Sequence, residues 1–249
     1  MVDAVVRERR LRWPIDKKFE SSVRNQTVRR IERRAKYILI AFDSGTAIVH
    51  LGMSGSLRML SAGVAPRPHD HWDLVLDTGQ VLRFHDPRRF GSLIWTKDDP
   101  LLHPLLAKLA PEPLSKGFDA DYLHRATRKR SVAIKHLIMN SQLVVGVGNI
   151  YASEALFRAR ISPRRAARRI TREESKALVR AIKDVLTEAI EIGGTTLRDY
   201  VNAEGTPGYF AQRLFVYERS KQPCRICKSL IKQFTQGQRS TYWCGVCQR

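Results

Sequence analysis

Cysteine is nearly absent from this chain: four residues, Cys224, Cys227, Cys244 and Cys247, all sit at one end, so no disulfide framework can hold the rest together. Acidic residues are scarce as well. Twenty-four Asp and Glu face 44 Lys and Arg, a formal net charge of +20, which is more than solubility requires and calls for a polyanionic partner, nucleic acid ahead of an anionic membrane. Long apolar runs are missing too. The longest, such as YILIAF at residues 37–42, are the length of a strand and too short to span a bilayer. Near the start, Arg7, Glu8, Arg9, Arg10 and Arg12 interrupt any stretch that could form the apolar core of an export signal. The expectation is a cytoplasmic, nucleoid-associated protein in a reducing compartment, with no membrane partner.

What is present is enough for a packed globular protein: 249 residues, 43% of them hydrophobic, allow two modest domains or one large one. The cysteines follow C-x2-C-x16-C-x2-C. Such pairs can serve as a disulfide staple, a redox centre or a metal site, and a reducing cytosol favours four thiolates on one tetrahedral zinc. With every position filled by protein, that zinc is structural. The residues between the pairs, with Phe234, Tyr242 and Trp243 around Gln236-Gly237-Gln238, suit a β-hairpin. It carries Lys232, Gln238, Arg239 and Ser240, which could lay a cation against a phosphate.

Residues 37–42 and 46–51 read as two strands around Asp43-Ser44-Gly45, and residues 72–76 and 80–85 repeat the pattern around Asp77-Thr78-Gly79. Residues 93–95 add a short strand, so the first 110 or so residues read as an antiparallel β-sandwich, closed by the proline-punctuated segment 100–113. From residue 119 the periodicity is helical. It is clearest at 171–192, where Thr171 and Glu174 form a capping box, Leu178, Ile182, Val185, Leu186 and Ile190 form a buried stripe, and Gly193-Gly194 supplies the stop. Helices over 132–141 and 150–158 flank the turn LVVGVGN at 143–149, a helix, two turns and a helix. Gly146 and Gly148 lack the third glycine of a dinucleotide loop, and helix precedes them; they are expected to let backbone amides at the Asn149 helix start approach a phosphate.

LGMSG (51–55), DPRRFG (86–91), VVGVGNIYASE (144–154), GTTLRDY (194–200), PGYF (207–210) and the cysteine hairpin together resemble the formamidopyrimidine-DNA glycosylase family over nearly the whole chain. LGMSG and DPRRFG bring it nearer to bacterial formamidopyrimidine-DNA glycosylase than to endonuclease VIII. The resemblance implies an α+β fold: a β-sandwich of catalytic type over residues 1–112 without the family's first helix, a helix-two-turn-helix DNA-binding domain over 113–215, and a zinc-ribbon hairpin over 216–249. It implies a base excision repair glycosylase and AP lyase, acting as a monomer on damaged double-stranded DNA, releasing 8-oxoguanine and formamidopyrimidines and cutting at the abasic site.

Residue by residue, Lys36 matches the lysine that contacts phosphate beside the lesion and assists β-elimination. Met53, Arg88 and Phe90 match the trio filling the gap left by an everted nucleotide, although Met53 and Phe90 taken alone would more often be core. His69, Arg88 and Asn149 match DNA-binding positions, with Lys135 and Tyr151 as further phosphate contacts; His71 reads as a satisfied strand histidine. Arg239, placed with Lys36 in the catalytic set, matches the hairpin arginine that clamps phosphates flanking the lesion. The dense run Arg158, Arg160, Arg164, Arg165, Arg168, Arg169 and Arg172 reads as a phosphate-facing or solvated surface and not as a base reader.

The resemblance also implies an opening PELPEVE-like segment whose proline amine attacks C1′ and whose glutamate serves as acid. This sequence opens MVDAVVRERRLRWP, which resembles family sequence beyond that segment, and Pro14 offers no free secondary amine. The expectation is a misplaced start or lost chemistry, the latter leaving an inactive damaged-DNA or abasic-site binding protein. Thr206 and Asn140 stand where lysine and an acidic residue are common, which bears on lesion preference. A zinc-ribbon DNA-binding regulator is the third reading, disfavoured because no obvious major-groove reading helix accompanies the ribbon.

Overall fold

The computed structural model describes residues 2–193 and 213–249. They belong to two compact units, one up to residue 107 and one from 108 onward. The motifs at 194–200 and 207–210, and Thr206, lie outside the described residues.

The first unit contains eight strands: β1 (Val2–Val6), β2 (Val28–Arg34), β3 (Tyr37–Phe42), β4 (Thr46–His50), β5 (Ser56–Ser61), β6 (Asp70–Leu76), β7 (Gln80–His85) and β8 (Ser92–Thr96). They form two antiparallel sheets, ordered β1-β6-β7-β5 and β2-β3-β4-β8. Trp72, Leu74 and Phe84 from the first sheet and Ile40, Phe42, Ala47 and Val49 from the second share one buried cluster, so the unit is the expected β-sandwich. A short helix, α1 (Phe19–Val23), adds Phe19 and Val23 to that cluster. Patterning alone did not reveal β1, β2, β5 or α1. The β2 sequence VRRIERR is exposed on both faces and sits at a sheet edge, so it has no apolar alternation, and only its pairing with β3 makes it a strand.

Register decides where the loops go. Tyr37 pairs with His50 and His50 with Ser92 in one sheet; Ser56 and Asp70 both pair with His85 in the other. Residues 51–55 join β4 to β5 and residues 86–91 join β7 to β8. Both loops therefore emerge at the same end of the sandwich, where β3 and β6 begin.

The second unit holds α2 (Ala120–Thr127), α3 (Ile134–Ile138), α4 (Asn149–Arg158), α5 (Arg172–Glu191) and a hairpin of β9 (Lys232–Gln236) and β10 (Arg239–Trp243). Thr171 and Glu174 form the capping box that starts α5. Leu178, Ile182, Val185 and Leu186 are buried as expected, but Ile190 is 66% exposed and Ala189 takes its place. At 3.6 residues per turn Ala189 lies only ~20° round the helix from Leu178, and Ile190 ~120°. Helix α3 is also shorter than the expected 132–141. Before it, Val132 and Ala133 are drawn into extended pairing with residues 166–167; after it, the Asn140 side chain accepts from the Gln142 amide at 2.9 Å and turns the chain. Gly146, at φ +80°, makes the second turn. Among the described residues no helix is long and apolar enough to cross a membrane.

Candidate nucleic-acid interface and metal centre

In the first unit the sequence-predicted residues gather at the loop end of the sandwich, and one buried carboxylate organises them. Asp86 is fully buried. Its oxygens accept from Ser54 Oγ at 2.8 Å, Gly91 N at 2.8 Å and Arg88 N at 3.3 Å. Its backbone amide donates to His69 O at 3.0 Å, and its carbonyl accepts from His71 Nε2 at 2.7 Å, which puts a proton on that nitrogen of the buried imidazole. The two loops also touch directly: a Cβ on Gly52, at φ +74°, would fall 2.7 Å from Gly91 N and from the Phe90 carbonyl carbon. Only glycine fits there.

Held this way, Met53 is 68% exposed and Phe90 45% exposed, so both point to solvent where apolar side chains of their size would ordinarily be core. The Arg88 guanidinium lies 4.7 Å from the Phe90 ring centre, a cation–π contact that joins a charge to the apolar tip. His69, at φ +73°, is exposed beside them. Lys36 follows Ala35, at φ +55°, in the β2–β3 turn. Burial first, then the Arg12 and Lys36 cations, push the His50 imidazole below its ordinary range, which suits the acceptor role of its Nδ1 toward Gly52 N at 2.9 Å. Lys36 and Arg12 thus bring positive charge to the end that carries Met53, Arg88 and Phe90.

The second unit gathers a different set. Lys135, on α3, is 1% exposed, and its Nζ donates to Thr241 Oγ1 at 2.7 Å and to Ser240 O at 3.3 Å. No carboxylate faces it among the described residues. Burial, with the Arg239 cation adding to it, lowers the ammonium to about 8. Asn149, at the start of α4, donates from Nδ2 to the same Ser240 O at 3.0 Å and to Tyr217 Oη at 3.3 Å, while its buried Oδ1 accepts from no donor among the described residues. Tyr151 lies two residues on, half-buried against the helical core. Arg239 is exposed at the start of β10, after a two-residue turn with φ +55° at Gly237 and +60° at Gln238, the pattern of a type I′ hairpin. A Cβ on Gly237 would meet His136 Nε2 at 2.7 Å, so the hairpin tip is seated on α3. The Lys135 ammonium and the Asn149 carboxamide thus converge on one carbonyl, Ser240 O, next to the exposed Arg239.

The four cysteine Sγ atoms lie within 4.8 Å of one another, with Cys227–Cys244 at 3.4 Å and Cys224–Cys247 at 3.9 Å. Zinc–sulfur bonds of about 2.3 Å make a tetrahedron with edges of about 3.8 Å. The Ile226 and Cys247 amides point at Cys224 and Cys244 sulfurs at 3.4 and 3.5 Å, as in a metal-binding knuckle. This group can bind a metal ion.

Two family models match the chain: the formamidopyrimidine-DNA glycosylase N-terminal domain over residues 1–93 and the formamidopyrimidine-DNA glycosylase H2TH domain over residues 109–201. The chain belongs to the formamidopyrimidine-DNA glycosylase family. The formamidopyrimidine-DNA glycosylase of Thioalkalivibrio sulfidiphilus (strain HL-EbGR7) is 56% identical over 249 residues, all of this chain and 92% of that protein. The crystal structure of the MutM (Fpg) protein of Thermus thermophilus is 38% identical with a TM-score of 0.88, over 99% of this chain and 90% of that one. A Lactococcus lactis Fpg mutant in complex with Fapy-dG containing DNA is 29% identical with a TM-score of 0.91, over 99% and 91%.

Sequence reasoning missed several residues that shape this formamidopyrimidine-DNA glycosylase family member's two sites. Asp86 stood inside DPRRFG without a role of its own. Glu154, the last residue of VVGVGNIYASE, is fully buried and accepts from the amides of Phe215, Val216 and Tyr217 at 2.8, 2.9 and 2.9 Å; it thereby anchors the strand of chain that brings Tyr217 to Asn149. Burial raises the Glu154 carboxyl while those amides oppose it. Thr241, the hydroxyl partner of Lys135, carries no local signal that could have found it.

Proposed function

We propose that this chain acts on duplex DNA containing oxidised purines, 8-oxoguanine and formamidopyrimidines, as a base excision repair glycosylase and AP lyase. One observation carries the reading: Met53 and Phe90, with Arg88 on the Phe90 ring, stand exposed on loops locked by Asp86. An apolar wedge with a cation is what a gap in a base stack accepts, and a fixed one lowers the free energy of everting the nucleotide. In this reading Met53 and Phe90 replace the lost stacking, and Arg88 faces the orphaned cytosine. Lys36 and His69 contact the backbone beside the lesion, Lys36 assisting β-elimination.

The second unit supplies phosphate binding. Lys135, Asn149 and Tyr151 line an anion site, and Arg239 clamps phosphates flanking the lesion from the hairpin. The four cysteines hold one zinc, which orders the hairpin; with four thiolates around it, it has no open position for catalysis. The bacterial nucleoid is the setting and the monomer the working form.

Base release needs an amine at C1′. The test offers the chain duplexes holding 8-oxoguanine or an abasic-site analogue beside their intact counterparts. The damaged duplexes should bind more tightly, and Met53→Ala and Phe90→Ala should narrow that gap. Equal affinity for damaged and intact duplex would overturn the function.

A further inference from the structure

A basic surface beside the hairpin remains unused by the residues assigned above. Residues 130–134 and 165–168 run antiparallel: Arg168 N donates to Arg130 O at 2.9 Å, Ala167 N to Val132 O at 2.9 Å, and Ile134 N to Arg165 O at 2.8 Å. Two cation clusters far apart in sequence are thereby laid side by side. Part of their charge is compensated. Arg165 pairs with Glu174, Arg172 with Asp121 and Arg158 with Glu188, while the Arg128 guanidinium is turned to the Ile170 carbonyl.

Lys129, Arg130, Arg164, Arg168 and Arg169 remain exposed, and none enters an ion pair among the described residues. Arg164 is also fixed in place. Its guanidinium sits 3.9 Å from the Phe234 ring centre and 5.9 Å from that of Trp243, so the patch is continuous with the hairpin that bears Arg239. Like charges concentrated on one face repel one another and disfavour the compact state. Their concentration is favourable only when a polyanion lies across them. Only a single 3-10 turn over Ala167–Arg169 carries two of them and no α-helix aligns the five, so the ligand chemistry is the sugar-phosphate backbone and not base edges.

We propose that Lys129, Arg130, Arg164, Arg168 and Arg169 form a second phosphate track, engaging the backbone of duplex DNA beyond the stretch gripped by Lys135, Asn149 and Arg239. This rests on the duplex-binding reading above and adds that the footprint is longer than the lesion site. The track supplies affinity for undamaged flanks and no choice of sequence.

The test uses the full chain, undamaged duplexes of about one and about four helical turns, and a variant carrying Arg130→Gln, Arg168→Gln and Arg169→Gln. Affinity is measured against salt concentration for each length. Each lost phosphate contact lowers the slope of log affinity on log salt by about 0.9. The variant's slope on the long duplex should therefore fall by about 2 to 3, while on the short duplex it matches the parent. The corresponding triple replacement with lysine, which keeps the charges, should restore the long-duplex slope. An unchanged slope on the long duplex, or equal losses at both lengths, or a lysine variant as weak as the glutamine one, would overturn the proposal. If the parent chain binds neither duplex, it is the duplex-binding reading itself that fails.

Discussion

Replacing Asp86 with alanine should damage both the sandwich and its ability to tell damaged from intact DNA. The carboxylate receives two short hydrogen bonds, from Ser54 Oγ and Gly91 N at 2.8 Å each, and a longer one from Arg88 N at 3.3 Å. Ser54 and Gly91 are buried, so alanine leaves two donors without an acceptor in a place water does not reach. At about 1–3 kcal/mol for each buried unsatisfied group, the loss is about 2–6 kcal/mol. That is a large part of the ~5–15 kcal/mol that holds a domain folded. Asp86→Asn keeps one acceptor and turns an amide NH2 toward a donor, so it should fall between alanine and the parent. Ser54→Ala, which deletes one donor and leaves the Gly91 contact, should cost about 1 kcal/mol. Urea unfolding measures these values. The functional consequence is read separately, at a temperature where each variant is folded, as the ratio of affinities for a duplex with an abasic analogue and its intact counterpart. That ratio should collapse for Asp86→Ala more than affinity for intact duplex does, because the loops bearing Met53, Arg88 and Phe90 lose their common anchor. A stability change below about 0.5 kcal/mol, the scale of ordinary surface substitutions, together with an unchanged ratio would refute the role given to Asp86.

Three further outcomes follow from the geometry. Lys135, held at about 8 against an ordinary 10.5, loses its proton in the folded state before the unfolded chain does; between those values the unfolded state binds more protons, so the free protein should gain up to about 3 kcal/mol as pH rises through that window. Duplex affinity should fall over the same range, and Lys135→Met should abolish both trends in urea unfolding and binding titrations. Protein prepared without chelator should contain one zinc per chain by elemental analysis, and Cys244→Ser should loosen the hairpin and weaken DNA binding, since it removes one of four clustered sulfurs. Met53→Ala and Phe90→Ala, at exposed positions, should change stability by no more than about 0.5 kcal/mol yet reduce discrimination between damaged and intact duplex; unfolding of both variants would return these side chains to the core and end the wedge reading.

Features set within a few residues are legible in the sequence itself. The C-x2-C pairs bring sulfurs together through knuckles four residues long, and their clustering within 4.8 Å is the outcome that spacing implies. Thr171 and Glu174 cap α5 through bonds spanning one turn, and the apolar-rich runs at 37–42 and 80–85 form β3 and β7. LGMSG and DPRRFG are readable as motifs. Tertiary structure alone decided where their side chains stand: Met53 and Phe90 have the composition of core residues, and the Asp86 anchor and the close approach at Gly52 hold them out in water. It also decided that Lys135 meets Thr241, 106 residues away, at a buried position, that VRRIERR is a strand, and that two distant arginine clusters lie side by side. The physical reason is range: capping, periodicity and ligand spacing are settled along the chain, whereas burial and cross-chain pairing exist only once distant segments have packed.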